Sequence, residues 1–122
     1  IKKAVLEKTG LFDTTLRLHQ DTHLWLRLAY AGKLVCGEIQ DPVAMRRVHS
    51  ENRIAHQNLN TRKALYKSTF EWFITKADVD KRALFIMLKR YIYSDCDNSI
   101  SRRYLFFAKI LIKYPKLLTK LV

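Results

Sequence analysis

The spacing of apolar residues predicts that most of this chain is helical. In the clearest helical segment, Leu24, Trp25 and Leu28 recur at helical spacing, so we expect these side chains to face a core. Gly32 follows the last apolar position, where a residue in the left-handed conformation usually ends a helix. A second, shorter helix is predicted over residues 2–8.

A short β element is predicted after these two helices. Residues 34–39 alternate weakly between apolar and polar, and residues 43–48 form a second short run. Asp41 and Pro42 between them favour a turn or a strand edge. Residues 50–60 are polar and predict a loop. The predicted fold class is therefore mainly α with a short two-stranded β element, an α+β arrangement.

Three further helices are predicted after residue 60, because apolar positions again recur at helical spacing. Polar residues that can cap their starts are Thr61 for the first, Asp78 or Asp80 for the second, and Ser99 or Ser101 for the third. The apolar faces of the first two consist of Tyr66, Phe70, Phe73 and Ala77, and of Leu84, Met87, Leu88 and Tyr91. Pro115 interrupts the third, since proline lacks the backbone N–H that a helix interior needs.

The third of these helices combines a narrow basic stripe with a wide apolar surface. The stripe consists of Arg102, Lys109, Lys113, Lys116 and Lys120. This pattern is typical of a helix that lies in a membrane interface, so residues 100–122 are a candidate membrane-binding segment. A helix that packs in a core and leaves one basic edge in water gives the same pattern. The sequence supports the two interpretations equally.

The chain is strongly basic, and the charge is unevenly distributed. Its 122 residues carry 23 Lys and Arg against 11 Asp and Glu, a formal net charge of +12. Residues 1–61 contribute nine basic and six acidic side chains, whereas residues 62–122 contribute 14 and 5. This asymmetry favours an anionic partner for the C-terminal half, although a solvated basic face has the same composition. No apolar run reaches the ~20 residues that a membrane-spanning helix needs.

The length and composition suit one compact domain or a piece of a larger one, since 48% of the residues are hydrophobic. The chain begins at Ile1 and not at Met, which favours a fragment. Cys36 and Cys96 lack the spacing of metal ligands and are predicted to be free thiols.

Two groups of polar residues are candidates for chemistry. Asp21 lies at the predicted start of the longer N-terminal helix, where an Asp most often caps backbone N–H groups. His23 is predicted to lie on the surface of that helix. Arg47 and His49 are two positions apart at the end of the second predicted strand, and in extended chain they share one face. Together with Arg46 they form a basic strand end, which is the simplest interpretation.

Two motifs resemble the C-terminal part of the catalytic domain of family-2 glycosyltransferases. The first consists of Gly10-Leu11-Phe12-Asp13, Gln20-Asp21, Leu24-Trp25-Leu26-Arg27-Leu28-Ala29 and Gly32-Lys33, and the second is Pro42-Val43-Ala44-Met45-Arg46-Arg47-Val48-His49-Ser50-Glu51-Asn52. Both occur in the order and spacing of the family. The resemblance implies that residues 1–54 are the acceptor-side end of a GT-A-type α/β domain, followed by a basic three-helix extension over residues 55–122.

The resemblance implies inverting transfer of a sugar from a nucleoside-diphosphate sugar to a glycan or a lipid-linked acceptor. Asp21 matches the catalytic base of the family, which takes the proton of the acceptor hydroxyl. Gln20 stands where the family has a further acid, and it is a candidate for acceptor binding. The fragment alone is expected to be inactive, because the nucleotide-binding half of such a domain belongs upstream.

The second motif implies the donor side of the site. Arg47 and His49 match residues of the family near the donor diphosphate, where an arginine can bind phosphate oxygens through two hydrogen bonds. Arg46 and Asn52 are further candidates for substrate binding, and His49 is also a candidate metal ligand. Mg²⁺ or Mn²⁺ is expected in the complete enzyme, and none is expected to bind this fragment.

The implied location is the cytoplasm, with peripheral binding at the inner face of the cell membrane. The alternative is a basic helical module that binds a nucleic acid or a membrane surface without catalysis. Nucleic acid is the less favoured partner, because no recognised DNA-binding pattern occurs in the sequence.

Overall fold

A computed structural model of the chain describes residues 1–33, 35, 37, 40, 41, 59–96 and 99–121. Helices make up 71% of these residues. They are α1 (Lys3–Thr9), α2 (Gln20–Ala31), α3 (Leu59–Ile74), α4 (Lys81–Asp95), α5 (Ile100–Lys113) and α6 (Lys116–Leu121). The described part of the chain is therefore a helical bundle.

The predicted two-stranded β element is wrong, and so are the α+β class and the GT-A-type α/β arrangement. Within the described ranges there is no strand, and Val35 and Gly37 of the first predicted strand belong to no regular element. The second predicted strand, residues 43–48, lies outside the described residues. Val35 is 79% exposed, so the weak alternation around it does not mark the buried face of a sheet.

The predicted capping residues start two of the C-terminal helices. Asp80 Oδ1 accepts a hydrogen bond of 2.8 Å from the Ala83 N–H at the start of α4. Ser99 Oγ accepts one of 3.5 Å from the Arg102 N–H at the start of α5. Pro115 separates α5 from α6, as predicted. These boundaries depend on contacts between neighbours in sequence, which the sequence displays directly.

The hydrophobic core lies between α3, α4, α5 and α6. Its buried side chains are Phe70, Phe73, Leu84, Met87, Leu88, Tyr91, Ile110 and Leu117. The ring centroid of Phe70 lies 5.8 Å from that of Tyr91 and 5.6 Å from that of Tyr114. Burial of each large side chain stabilises the fold by roughly 1.5–3 kcal/mol. The predicted faces of α3 and α4 are confirmed at these positions, whereas Ala77 is exposed and follows the end of α3.

Helices α2 and α3 run side by side in the same direction. At one end, His19 Nε2 lies 3.4 Å from Thr61 Oγ1 in the first turn of α3. At the other end, the Tyr30 hydroxyl donates to the Asp78 carbonyl oxygen at 2.9 Å and accepts from the Asp80 N–H at 3.0 Å. Thr61 lies inside α3 and does not cap it, contrary to prediction.

Helix α4 packs against α3 in the opposite direction. Lys63 near the start of α3 forms an ion pair with Asp95 at the end of α4. One turn further along α3, the Tyr66 hydroxyl accepts a hydrogen bond of 3.2 Å from Arg90 Nη1. The starts of α2 and α3 and the end of α4 therefore lie together, and we call this the α2-start end of the bundle.

Candidate functional site

A buried arginine fixes the loop that leads from α1 to α2. Arg27 is 5% exposed, and its Nη1 and Nη2 atoms donate hydrogen bonds of 2.6 Å each to the carbonyl oxygens of Thr9 and Leu11. Burial lowers the pKa of Arg27, but an arginine pKa lies so far above neutrality that the guanidinium keeps its charge. Because a buried charge without partners is strongly unfavourable, these bonds hold the loop backbone against α2.

Gly10 lets the loop pass close to this arginine. Its φ of +78° lies in the left-handed region that favours glycine, and its N–H donates to the Leu6 carbonyl oxygen at 2.7 Å. A Cβ at this position would lie 3.3 Å from Arg27 Nη1. Conformation and space therefore both favour glycine here. Gly32, in contrast, ends α2 with a φ of −126°, so its predicted left-handed conformation is wrong.

Asp13 joins the same loop to α3. Its Oδ1 accepts hydrogen bonds from the Thr15 N–H at 3.0 Å and from the Thr15 hydroxyl at 2.6 Å. Its Oδ2 accepts one from the Ser68 hydroxyl at 2.7 Å. The hydrogen bonds from Thr15 and Ser68 lower the pKa of the Asp13 carboxyl, so it stays ionised and holds the loop against α3.

His23 belongs to this cluster and is 3% exposed, so its predicted place on the helix surface is wrong. Its Nδ1 lies 3.8 Å from Asp13 Oδ2, and its Nε2 lies 3.4 Å from Ser68 Oγ. Burial and the positive charge of Arg27 lower the pKa of His23. The imidazole is therefore neutral at neutral pH.

Asp13, His23 and Ser68 are not arranged as a catalytic triad. In a triad the serine gives its proton to the histidine, which donates its other N–H to the carboxylate. Here the Ser68 hydroxyl donates directly to Asp13, and His23 is closed to solvent. The cluster therefore positions the loop.

The Asp21 carboxylate is exposed in the first turn of α2. The N-cap of α2 is His19, with a left-handed φ of 65°, so Asp21 is not the cap that its position suggests. Asp21 Oδ1 accepts a hydrogen bond of 2.7 Å from the N–H of the adjacent Thr22. Gln20 is turned toward the protein, where its Nε2 donates to the Leu16 carbonyl oxygen at 2.6 Å. Of the two predicted site residues on α2, Asp21 alone faces solvent.

Trp25 is 57% exposed, so the prediction that it faces the core is wrong. Residues four apart share a helix face, which places its indole on the same exposed side of α2 as the Asp21 carboxylate. The buried side of α2 consists of His23, Leu24, Arg27 and Leu28. These positions follow the spacing of a single helix face, a signal that appears only when His and Arg are counted as core residues.

The predicted donor-side residues Arg46, Arg47, His49 and Asn52 lie outside the described residues, and so does the predicted metal-ligand role of His49. In the part of the chain that the structure describes, no group of three or more His, Cys, Asp or Glu side chains is placed to hold a metal ion. The donor side of the site therefore stays a prediction.

The bundle engages part of the predicted basic stripe. Lys113 Nζ lies 3.6 Å from Glu71 Oε1, and Lys120 donates a hydrogen bond to the Lys76 carbonyl oxygen. Large apolar side chains nevertheless stay exposed on α5 and α6, namely Ile100, Tyr104, Leu105, Ile112 and Leu118. Among the helices described, none has the length and apolar character needed to cross a membrane.

Comparison with known proteins gives no match to this chain. No family model matches it, and neither a curated protein nor a solved structure does. The resemblance to family-2 glycosyltransferases thus depends on the two motifs alone, and the activity that it implies is a proposal.

Proposed function

We propose that the start of α2 is the acceptor side of a glycosyltransferase site, with Asp21 as the base. The observation that supports this most is the contrast between the exposed Asp21 carboxylate and the buried side chains behind it. Arg27, His23 and Asp13 fix the loop and the helix start. A base on a rigid support, open to a substrate, is what general-base catalysis needs.

The proposed reaction is a single displacement with inversion at the anomeric carbon. The acceptor oxygen forms its bond to that carbon while the bond to the nucleoside diphosphate breaks, and the leaving diphosphate takes the electron pair. The acceptor proton moves to the Asp21 carboxylate, which must lie within about 3 Å of the acceptor hydroxyl.

Trp25 extends the proposed site toward the rest of the acceptor. Its exposed indole lies on the residue four positions after Asp21, about 6 Å along the helix axis. The flat face of an aromatic ring can cover the apolar C–H face of a sugar, while the sugar hydroxyls stay in water. A glycan acceptor therefore fits the pair formed by Asp21 and Trp25.

Replacement of the base tests this proposal in the full-length protein. Asp21→Asn keeps the size of the side chain but removes the proton acceptor, so sugar transfer should fall by about 10²–10⁴-fold while donor binding stays unchanged. Asp78→Asn is the matched control, because it removes an exposed carboxylate at the opposite end of the bundle. Undiminished transfer by Asp21→Asn would exclude Asp21 as the base.

One observation favours a second candidate function, namely binding to a membrane surface. Leu105 and Ile112 lie seven residues apart on one side of α5, are exposed, and have the exposed Lys109 between them in sequence. An exposed apolar face with a basic edge is typical of a helix in a membrane interface. A double variant, Leu105→Ser with Ile112→Ser, should abolish flotation with anionic liposomes, and flotation equal to that of the parent protein would exclude this function.

A further inference from the structure

A cavity of about 530 Å³ lies between α3 and α4 at the α2-start end of the bundle. Its walls are formed by Asn60, Arg62, Lys63, Tyr66, Arg90, Tyr93, Ser94, Asp95 and Cys96. Among these wall residues, three side chains are positive and Asp95 is the single negative one. Because Asp95 pairs with Lys63, Arg62 and Arg90 give the described walls of the cavity a net positive charge.

The Tyr66 hydroxyl lies within this positive charge and responds to it through its pKa. Arg90 Nη1 donates a hydrogen bond of 3.2 Å to the Tyr66 hydroxyl, and the guanidinium carbon lies 5.8 Å from the ring centroid. Burial by itself would raise the pKa of Tyr66, but the hydrogen bonds and charges of Arg90 and Arg62 lower it. The cavity therefore favours negative charge on an oxygen atom, which is what a phosphate group presents.

An apolar groove of about 530 Å³ lies between α4 and α5 beside this cavity. Its walls are formed by Phe85, Leu88, Lys89, Ile92, Tyr93, Ile100, Arg103, Tyr104 and Phe107. Phe85, Ile100 and Tyr104 are each more than half exposed. An apolar groove of this kind suits an apolar ligand, since the ligand would remove these exposed side chains from water.

The cavity and the groove meet at Tyr93, which contributes to the walls of both. The Arg103 guanidinium carbon lies 4.1 Å from the Tyr93 ring centroid, and Lys89 Nζ lies 5.7 Å from it. Two positively charged side chains therefore lie at the junction. A ligand that fills both spaces must carry a negative head and an apolar chain.

We propose that the cavity and the groove together bind one molecule of an anionic phospholipid, with its phosphate beside Arg62 and Arg90 and an acyl chain along the groove. The proposal rests on the second candidate function, binding to a membrane surface, and adds a specific headgroup site to it. Two guanidinium groups suit phosphate because each can form paired hydrogen bonds with its oxygens. A soluble phosphate compound would leave the apolar groove uncovered, whereas a lipid covers both spaces.

The first test compares binding of the full-length protein to phosphatidylcholine vesicles with and without phosphatidic acid. Arg90→Gln and Arg62→Gln should each weaken binding to the vesicles with phosphatidic acid about tenfold, because each loses charge-assisted hydrogen bonds to the phosphate. Arg82→Gln is the matched control, since it removes the same charge from the exposed first turn of α4 and should change affinity less than about twofold. Equal losses in all three variants would indicate diffuse attraction to a charged surface and would overturn the headgroup site.

The second test separates the lipid from a free phosphate. Tyr104→Ser in the groove should weaken binding to phosphatidic acid about tenfold and leave binding of inorganic phosphate unchanged, while Leu118→Ser, exposed outside the groove, should change neither. Inorganic phosphate that binds as tightly as the lipid would overturn the lipid proposal. So would duplex DNA that displaces the vesicles in an Arg90-dependent manner.

The headgroup site and the membrane-surface function fail in different ways. If the double variant at Leu105 and Ile112 abolishes vesicle binding while Arg90→Gln and Arg62→Gln do not weaken it, the membrane surface function stands and the headgroup site is wrong. If only the two arginine variants weaken binding, the headgroup site stands and the exposed Leu105 and Ile112 have no part in membrane binding. Circular dichroism of each variant checks that it keeps its helices, and Arg62→Gln provides the answer if Arg90→Gln does not fold.

Discussion

The buried cluster behind the loop between α1 and α2, which we call the first region, and the cavity between α3 and α4 surround arginine in opposite ways. Arg27 is buried, and two carbonyl oxygens and the nearby Asp13 surround its guanidinium. Arg62 and Arg90 are exposed and face one cavity, where Asp95, the one acid among the described wall residues, already pairs with Lys63. A charge with internal partners fixes a structure, whereas like charges held close together suit a partner from outside. The comparison separates Arg27, which stabilises the fold, from Arg62 and Arg90, which are available to bind a ligand.

Removal of Arg27 should break the first region and have the largest effect on stability. Arg27→Met keeps much of the side-chain length but leaves the carbonyl oxygens of Thr9 and Leu11 without their donors. We therefore expect the free energy of unfolding to fall by about 2–4 kcal/mol, measured by urea unfolding, because each buried carbonyl oxygen left without a donor costs about 1–3 kcal/mol. Arg17→Met, at an exposed position of the same loop, should change it by less than about 0.5 kcal/mol. Equal effects of the two variants would contradict the proposed role of Arg27.

A methyl group at Gly10 should strain the same contact more mildly. Gly10→Ala places a residue with a Cβ at a φ of +78° and 3.3 Å from Arg27 Nη1, so the free energy of unfolding should fall by about 1–2 kcal/mol. Gly37→Ala is the control, because a Cβ there meets nothing within 4 Å. In the double variant with Arg27→Met, the loss of unfolding free energy should be smaller than the sum of the losses in the two single variants. Full additivity would show that Gly10 and Arg27 act independently.

Acidification should weaken the first region through His23. Burial and the charge of Arg27 lower its pKa, so the unfolded chain binds the proton more readily than the folded one. The stability that neutral His23 contributes is fully present above about pH 6.5 and is lost as the pH falls toward the lowered pKa of the folded state. Urea midpoints at about pH 7 and about pH 5 measure this loss. His23→Gln should reduce the difference between the two midpoints, and an undiminished difference would assign it to other groups.

Protonation of Asp13 should cause a second loss of folding stability at more acidic pH. Its pKa is lowered by the hydrogen bonds from Thr15 and Ser68, so its contribution is present above the ordinary carboxyl value of about 3.9 and lost as the pH falls through the folded-state pKa. Ser68→Ala removes one of these hydrogen bonds. In that variant the acid loss should shift to higher pH, which the same urea midpoints measure.

The sequence predicts the parts of the fold that depend on near neighbours. Asp80 and Ser99 cap helices through N–H groups three residues away, and Pro115 interrupts a helix by its own chemistry. Leu84 and Leu88 are about one helical turn apart, so they share the face of α4 that is buried in the core. Each of these signals lies within about one helical turn of sequence, so periodicity and capping rules detect them.

The first region was not predicted, because its contacts join residues far apart in sequence. From the sequence, Arg27 and His23 are expected on the surface. In the fold, the carbonyl oxygens of Thr9 and Leu11 bind Arg27, and the Asp13 carboxylate lies beside His23. Trp25 looks like a core residue for the converse reason, since the buried face of α2 is rotated toward the two polar residues. Hydrophobicity alone therefore places Leu24 and Leu28 correctly in the core, but it misplaces Trp25 and misses the buried His23 and Arg27.

Removal of a cavity arginine should have the smallest effect on stability. This prediction gives the clearest contrast with Arg27, whose removal should have the largest effect. Arg62 is exposed, and the described walls of its cavity also carry the positive side chains of Lys63 and Arg90. Asp95 already pairs with Lys63. Arg62→Gln should therefore change the free energy of unfolding by less than about 0.5 kcal/mol, with a gain where relief of repulsion outweighs lost contacts. Higher salt should shrink any such gain, because screening weakens the same repulsion in the parent protein. Urea unfolding at low and high salt measures both effects. A loss as large as that of Arg27→Met would mean that the cavity arginines hold the bundle together, and the distinction between building and binding charges would fail.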